Sequence, residues 1–349
     1  MLEQSDIAHY LLSLGLVKPR DVVDEDLTVV DVSRRNCVFL ATTRAGPSFV
    51  VKQAGPRSAG TLAHEAAVLG ALAGAAELAG RVPVVVHNEP AAGLLVVRTP
   101  GGARDWGNHQ GRFPRIPARL LGRTLAALHR LPAGEVEALP PDVDRMWALS
   151  LPEPPHELVL DLSSGAQEVV ARVQAGRHLC ERLGELRDAP DEDALVHGDL
   201  RWANCLALAA PGAERRTRVV LVDWELAGPG AAAFDVGTVL AEYLSAWIGS
   251  IPIADPADPG RLIARARHPL ERMRPAIHDF WSAYRLANPL HPTLRRVVEL
   301  GAVRLLQTAV EHAQGLAAPT AHVMTLVQLA DNLLRDPDDA ALTLLALRE

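Results

Sequence analysis

The feature that most restricts the fold is a short polar segment that lies between two apolar runs. Residues 197–204 read HGDLRWAN and follow the apolar run 194–196, while a second apolar run, 219–222, ends in the triplet DWE at 223–225. Short apolar runs that are bounded by polar residues are typical of buried strands. The pattern therefore predicts two inner strands, each of which delivers polar side chains at its end.

This arrangement is also the one that resembles a known family. An HGDxxxxN segment followed by an apolar strand that ends in DxE resembles the aminoglycoside phosphotransferase and choline kinase-like group, relatives of the protein kinases. The resemblance covers residues 27 to about 240. It implies an α+β, two-lobed protein-kinase-like fold, with an N-terminal antiparallel β lobe over 1–102 that binds nucleotide. A larger, mostly α-helical C-terminal lobe over 103–349 would hold the catalytic and acceptor-binding residues.

The resemblance implies an ATP- and Mg²⁺-dependent transfer of phosphate to a hydroxyl group. Such transfer depends on positioning and charge neutralisation more than on covalent chemistry. Asp199 would be the catalytic base or would orient the acceptor, and Asn204 and Asp223 would supply the oxygen ligands that Mg²⁺ prefers. Glu225 is a further candidate metal ligand. Arg201 could neutralise the transferred phosphate or form a structural salt bridge.

A lysine and a glutamate upstream complete the implied nucleotide site. Arginine supplies 33 of the 35 basic residues, so Lys52 is one of only two lysines and lies in the apolar stretch 49–52. A lysine side chain ends in a compact ammonium group, which the planar guanidinium of arginine cannot replace. The resemblance implies that Lys52 contacts the nucleotide phosphates and is held by Glu65. A solvated charge on a helix is the alternative for Glu65.

The phosphate-covering hairpin departs from the protein-kinase pattern. Residues 32–36 read VSRRN, without the glycines of a GxGxxG loop. Ser33 and the backbone near Asn36 remain candidate donors to the phosphates. Two polar residues are assigned structural roles. His197 would buttress the polar segment 197–204, here named the polar loop, and Asp235 would open a helix, where a carboxylate is favourable.

The remaining pattern predicts a sheet-rich start and a helical remainder. Pro and Gly at 99–102 mark the candidate boundary between the lobes. Expected strands are 27–32, 36–42, 48–52, 81–87 and 94–98, and expected helices are 5–16, 62–78, 117–131 and one long helix over 164–186.

Composition argues against several other classes of protein. The formal net charge of −7 disfavours nucleic acid as a partner. The N-terminus has neither a signal peptide nor a membrane span, which leads us to expect a cytoplasmic protein. The three cysteines lack zinc-ligand spacing. A GxGxxA match at 228–233 suggests a dinucleotide-binding turn, but four residues separate it from the preceding strand.

The acceptor is the open question. Helix 296–316 carries four polar residues that could line a cleft or face solvent: Arg304, Gln307, Glu311 and His312. The phrases WALSLP at 147–152 and VDWELAG at 222–228 resemble phosphotransferases of class V lanthipeptide and thioamitide biosynthesis. That resemblance implies phosphorylation of Ser or Thr in a precursor peptide before a lyase partner eliminates the phosphate. The alternatives are a kinase for an aminoglycoside, choline-like molecule or sugar, and a non-catalytic pseudokinase.

Overall fold

The structure is a computed structural model in which two compact units can be described. It describes residues 2–24, 26–33, 37–44, 46–55, 59–101, 104–105, 112–136, 144–189, 194–210, 213–252 and 263–348. The first unit comprises Met1–Asn108, Pro132–Val143 and Ala203–Pro229, and the second comprises His109–Leu131, Asp144–Trp202 and Gly230–Glu349.

The described strands and helices follow the α+β pattern that the sequence predicts. The strands are β1 Leu27–Asp31, β2 Cys37–Thr43, β3 Ser48–Gln53, β4 Val84–Glu89, β5 Leu94–Thr99, β6 Arg104–Asp105, β7 Ala194–Val196, β8 Cys205–Ala210, β9 Ala213–Leu221 and β10 Gly228–Gly230. The helices are α1 Ile7–Ser13, α2 Pro19–Val23, α3 Ala59–Leu72, α4 Arg115–His129, α5 His156–Leu160, α6 Ser164–Gln174, α7 Arg177–Arg187, α8 Ala232–Gly249, α9 Leu270–Ala287, α10 Leu294–Ala313, α11 Ala321–Arg335 and α12 Pro337–Asp339.

The first unit is built on an antiparallel sheet with the strand order β1-β2-β3-β5-β4. Its strands are rich in β-branched residues, which pack well on a pleated surface. A core on one face joins α1 to the sheet through Ile7, Leu11, Phe39 and Val51. In the same unit, β6, β8 and β9 form a smaller antiparallel sheet. The expected N-terminal antiparallel sheet is therefore confirmed.

The second unit is mostly helical, as expected. Helix α8 crosses α10 where Gly237 meets Gly301, and a Cβ atom on Gly237 would lie 2.6 Å from the Gly301 nitrogen. Two glycines allow this close approach because neither has a side chain. Among the described residues, the structure contains no helix that is long and apolar enough to cross a membrane.

The expectation of one long helix over 164–186 is wrong. Helix α6 ends at Gln174 and α7 begins at Arg177, with Gly176 as its N-cap. Gly176 has extended backbone angles (φ −90°, ψ 90°). Glycine inside a helix costs roughly 1 kcal/mol relative to alanine, which favours ending the helix near Gly176. The apolar residues keep a helical spacing on both sides of the break, so the sequence pattern does not reveal it.

Candidate active site

Lys52 lies at the centre of a buried ion-pair cluster in the first unit. It is on β3, an inner strand of the sheet, and is only 6% exposed. Its Nζ atom lies 2.8 and 2.7 Å from the two carboxylate oxygens of Glu65, and 2.6 Å from Oδ1 of Asp223. The structure thus brings together three residues that are separated by up to 171 positions in the chain.

The electrostatics of this cluster favour a charged lysine. Burial alone would lower the pKa of Lys52, but the carboxylates of Glu65 and Asp223 outweigh it, so the net shift is upward. Glu65 is 1% exposed, on α3, and also accepts a hydrogen bond of 3.4 Å from the Trp224 amide. The solvated alternative for Glu65 is therefore wrong. Its neighbour His64 adds a second tie, because its Nε2 lies 2.6 Å from the Ala227 carbonyl oxygen.

Asp223 adopts a backbone conformation that presents its side chain at the end of a strand. Strand β9 ends at Leu221, and the Val222 amide then donates to the Asn204 carbonyl oxygen at 2.9 Å. Asp223 itself has φ of +69°, in the left-handed region that Asp and Asn tolerate better than most residues. Its side chain is 34% exposed, so a carboxylate anchored by Lys52 still faces solvent.

The predicted metal ligands Asn204, Asp223 and Glu225 each carry a side-chain oxygen atom. Asn204 is buried at the end of the 3₁₀ turn Trp202–Asn204, and Glu225 is half-buried. Among the described residues, no three His, Cys, Asp or Glu side chains could hold a metal ion by themselves. Mg²⁺ usually takes one or two carboxylates and completes its shell with water and phosphate, so the available donor set fits that ion when a nucleotide accompanies it.

The second unit contains Asp199 and Arg201 as a close ion pair. The Nε and Nη2 atoms of Arg201 lie 3.0 and 2.7 Å from Oδ2 of Asp199. Both side chains are partly exposed. His197 is fully buried, and its Nδ1 accepts a 3.3 Å hydrogen bond from the Asp199 amide.

A buried carboxylate holds the polar loop by its backbone. Asp235, in the first turn of α8, is 0% exposed. It accepts hydrogen bonds from the amides of His197 (2.7 Å) and Gly198 (2.9 Å). Gly198 has φ of +82°, which glycine adopts without strain. The sequence placed Asp235 at a helix start, but nothing in it indicated these loop contacts.

The network continues from Asp235 towards the end of α9. Oδ2 of Asp235 lies 3.2 Å from Nε2 of His129, and Nδ1 of His129 lies 2.8 Å from the Tyr284 hydroxyl. Asn288 donates to that hydroxyl at 3.2 Å. Burial would raise the pKa of Asp235, but the hydrogen bond and charge of His129, with help from His197, lower it overall.

Glu242 is a second carboxylate near Asp199 that sequence reasoning missed. Its Oε2 accepts a 2.7 Å hydrogen bond from the Trp202 amide, although the two residues are forty positions apart. Burial raises the pKa of Glu242, against the opposing effects of the Trp202 amide and of Arg304 and Arg201. Only the tertiary fold reveals this contact.

The polar residues of α10 divide between the interior and the surface. Arg304 and Gln307 are buried, whereas Glu311 and His312 are exposed. Arg304 donates to both oxygens of Glu311 at 2.8 and 3.1 Å, and Gln307 donates to the Arg145 carbonyl oxygen at 2.7 Å. The expectation that these four residues face solvent therefore holds for Glu311 and His312 and is wrong for Arg304 and Gln307.

An aromatic cluster surrounds Trp202, which lies within the polar segment 197–204. The Trp202 ring lies 5.1 Å from Tyr243 and 6.1 Å from Phe113, measured between ring centroids. The Phe113 ring also lies 5.8 Å from His268. Phe113, Trp202 and His268 are half-buried. Partly exposed rings beside the carboxylate of Glu242 are chemically suited to a cation.

The predicted phosphate-covering residues are only partly described. The Ser33 hydroxyl accepts a 2.9 Å hydrogen bond from the Val38 amide, and the Ser33 amide donates to Asp31 at 2.8 Å. These bonds hold Ser33 between the end of β1 and the start of β2. Asn36 lies outside the described residues.

The chain is similar to known phosphotransferases in sequence and in fold. The family model described as "phosphotransferase enzyme family" (APH) matches residues 26–275, more than half of the chain. A choline/ethanolamine kinase family protein from Mesorhizobium loti is 20% identical, with a TM-score of 0.57 and 96% of each chain covered. An ethanolamine kinase from Plasmodium vivax is 12% identical, with a TM-score of 0.54, covering 91% of this chain and 85% of that one.

A third structure, the GDP complex of aminoglycoside 2′-phosphotransferase-IIIa, is 12% identical with a TM-score of 0.54. It covers 96% of this chain and 100% of that one. At these identities the likeness shows the fold. No curated protein matches the chain.

Proposed function

The chain belongs to the phosphotransferase enzyme family, and from that premise we propose that it transfers the γ-phosphate of ATP, bound with Mg²⁺, to an acceptor hydroxyl. The observation that carries the proposal is the buried cluster of Lys52, Glu65 and Asp223, with contacts of 2.6–2.8 Å. Holding an ammonium this way costs desolvation energy that the fold alone does not require. A polyphosphate is the ligand that such an ammonium suits.

The nucleotide-binding roles fall to residues of the first unit. Lys52 would leave Asp223 to contact the phosphates while Glu65 keeps it in place. Asp223 and Asn204, with Glu225, would then be the oxygen ligands of the metal. Bound Mg²⁺ neutralises the phosphate charge that develops during transfer. Ser33 and Asn36 are proposed as further donors to the phosphates.

The acceptor-binding roles fall to residues of the second unit. Asp199 would orient the acceptor hydroxyl and take its proton, and it precedes Asn204 by only five positions. Arg201 now neutralises Asp199 at 2.7 Å. We propose that its guanidinium turns to the transferred phosphate, which leaves the carboxylate to the acceptor.

For the acceptor we propose Ser or Thr of a ribosomally made precursor peptide, whose phosphate a separate lyase would later eliminate. The support is the resemblance of 147–152 and 222–228 to phosphotransferases of such pathways. In the structure the first phrase contains a 3₁₀ turn, Trp147–Ser150, within the second unit. A peptide acceptor requires a surface that binds it along its length.

A second candidate acceptor is a small alcohol that carries a positive charge. The observation in its favour is the Glu242 carboxylate, which accepts the Trp202 amide at 2.7 Å and lies beside the partly exposed aromatic cluster. Rings and a carboxylate together bind ammonium groups. Glu242→Gln should then raise the KM of a cationic acceptor and leave that of a peptide unchanged.

The test is transfer of labelled γ-phosphate from ATP, and in parallel from GTP, to Ser/Thr peptides, aminoglycosides and choline. Asp199→Asn should abolish transfer and retain nucleotide binding, whereas Asp188→Asn, a control at an exposed acid of the same unit, should retain both. Nucleotide binding without transfer to any acceptor, with no ATP consumption in the presence of Mg²⁺, would identify a pseudokinase instead.

A further inference from the structure

Every exposed residue between positions 112 and 130 is an arginine. Helix α4 buries its apolar residues, and the exposed positions of this segment are Arg112, Arg115, Arg119, Arg123 and Arg130. The four residues from Arg112 to Arg123, here named the arginine stripe, recur every three or four positions. Arg115, Arg119 and Arg123 lie on one face of α4, and Arg112 precedes the helix by three positions.

The fold explains only part of the stripe, because a carboxylate of the fold pairs with Arg115 and Arg119 but not with Arg112 or Arg123. Like charges four residues apart destabilise a helix by about 0.2–0.5 kcal/mol per pair. The sequence contains no Asp or Glu between positions 106 and 134, so the segment cannot neutralise itself. A chain with a net charge of −7 has nevertheless collected positive charge here. An arrangement that costs stability and persists on a surface calls for a ligand.

Asp279, a carboxylate of the same unit, forms hydrogen bonds with two arginines of the stripe. Asp279, on α9, is only 7% exposed. It accepts two hydrogen bonds of 2.9 Å from Arg115 and one of 3.0 Å from Arg119. Both guanidinium groups are therefore fixed in direction. Asp279 neutralises one charge of the stripe, and within the described residues no ion pair involves Arg112 or Arg123.

The surroundings extend the positive surface and connect it to the polar loop. Arg265 and Arg267 are exposed just before α9 and Arg272 is exposed in its first turn, where the acid nearest in sequence is Glu271. Phe113, which follows Arg112 in the sequence, has its ring 5.8 Å from that of His268 and 6.1 Å from that of Trp202. Trp202 follows Asp199 by three positions. A ligand on the stripe thus ends close to the acceptor-binding residues of this unit.

We infer that the arginine stripe is the docking site of an acidic polypeptide segment. Arginine matches carboxylates with two parallel hydrogen bonds, as Arg115 does with Asp279. The stretch from Arg115 to Arg123 is about 12 Å long at 1.5 Å per residue, which suits a few carboxylates along one chain.

Two other anionic partners fit this surface less well. The described part of this segment has no exposed large hydrophobic residue, which a helix that inserts into a membrane surface requires. The net charge of −7 opposes binding to nucleic acid, whose charge extends over the whole duplex. A short acidic segment contacts only the stripe and avoids the acidic remainder of the protein.

The test measures binding of a fluorescein-labelled polyglutamate peptide of about 12 residues to the full chain by anisotropy. We expect wild-type binding to weaken steeply between about 50 and about 200 mM salt. The double variant Arg112→Glu/Arg123→Glu spares the contacts with Asp279 and should bind about tenfold more weakly or worse. Arg20→Glu/Arg172→Glu changes the net charge equally at exposed positions elsewhere and should bind within about twofold of wild type.

Several results would overturn the inference. These are no peptide binding by the wild type, equal losses in the stripe and control variants, or tighter binding to duplex nucleic acid or to phosphatidylserine vesicles than to the peptide. If the Glu variants lose their thermal transition, Arg112→Gln/Arg123→Gln replaces them, and unchanged affinity then counts against docking. Phosphate transfer is measured separately, so loss of docking with intact transfer leaves the proposed function standing.

Discussion

Replacing Asp235 by asparagine tests how the polar loop is held. In the wild type, Oδ2 accepts from the His197 amide at 2.7 Å and from His129 at 3.2 Å, and Oδ1 accepts from the Gly198 amide at 2.9 Å. Asparagine has one oxygen, so its NH₂ group must face at least one of these buried donors. Hydrogen bonds to a charged group are worth about 1.5–3 kcal/mol, and the bonds that remain lose their charge assistance. We therefore expect the free energy of unfolding to fall by about 2–5 kcal/mol.

The assay is urea unfolding of the full chain at about pH 7 together with the rate of phosphate transfer. Because the lost hydrogen bonds hold the loop that carries Asp199, we expect kcat to fall as well, although Asp199 itself is unchanged. Asp188→Asn serves as the control, since that side chain is 77% exposed and should change stability by less than about 0.5 kcal/mol. Wild-type stability and kcat in Asp235→Asn would refute the reasoning.

The pH dependence gives an independent check on the same residue. The folded state lowers the pKa of Asp235, because the hydrogen bond and charge of His129 outweigh the effect of burial. A lowered carboxyl pKa contributes stability that is present above the unfolded value of about 3.9 and is lost as the pH falls through the folded value. The gap in the free energy of unfolding between wild type and variant should therefore narrow as the pH falls below about 3.9. A gap that widens in acid would contradict this.

Further substitutions test the other features of the structure. Lys52→Ala should lower kcat/KM for ATP about 100-fold, a loss near 2.7 kcal/mol, with the circular dichroism spectrum unchanged; unaltered kinetics would remove Lys52 from the nucleotide site. Glu242→Gln should stabilise the protein at neutral pH and not below about pH 4, because burial raises the pKa of Glu242 and makes its charged form costly to hold; equal effects at both pH values would count against it. Gly237→Ala should destabilise the α8–α10 crossing by about 1–3 kcal/mol, whereas Gly249→Ala, with no atom within 4 Å of the new Cβ, should not; thermal unfolding separates the two.

The sequence predicted those features of the site that depend on local pattern. Lys52 was a candidate because a lysine in an apolar strand is conspicuous in a chain that otherwise uses arginine, and Asp199 because the HGDxxxxN segment resembles that of the family. The contacts of Asp235 with two loop amides, and of Glu242 with the Trp202 amide, join residues 37 to 40 positions apart. Side chains that bind backbone atoms leave no residue pattern at either end, so sequence periodicity cannot reveal them. The break between α6 and α7 was missed because the apolar residues keep a helical spacing on both sides of Gly176, although the helix itself is interrupted there.

The arginine stripe and the residues around Asp199 make opposite demands on an acceptor. The stripe attracts carboxylates, whereas Glu242 and the aromatic cluster suit a positive charge. A small cationic molecule suits only the second of these surfaces, but a polypeptide can place an acidic segment on the stripe and a hydroxyl near Asp199 at once. Tethering the two would raise the effective concentration of the hydroxyl, so an acidic segment joined to a Ser/Thr acceptor should lower its KM, and Arg112→Glu/Arg123→Glu should cancel that gain without changing kcat. If the acidic segment leaves the KM unchanged while choline or an aminoglycoside is turned over, the small cationic acceptor is the better assignment.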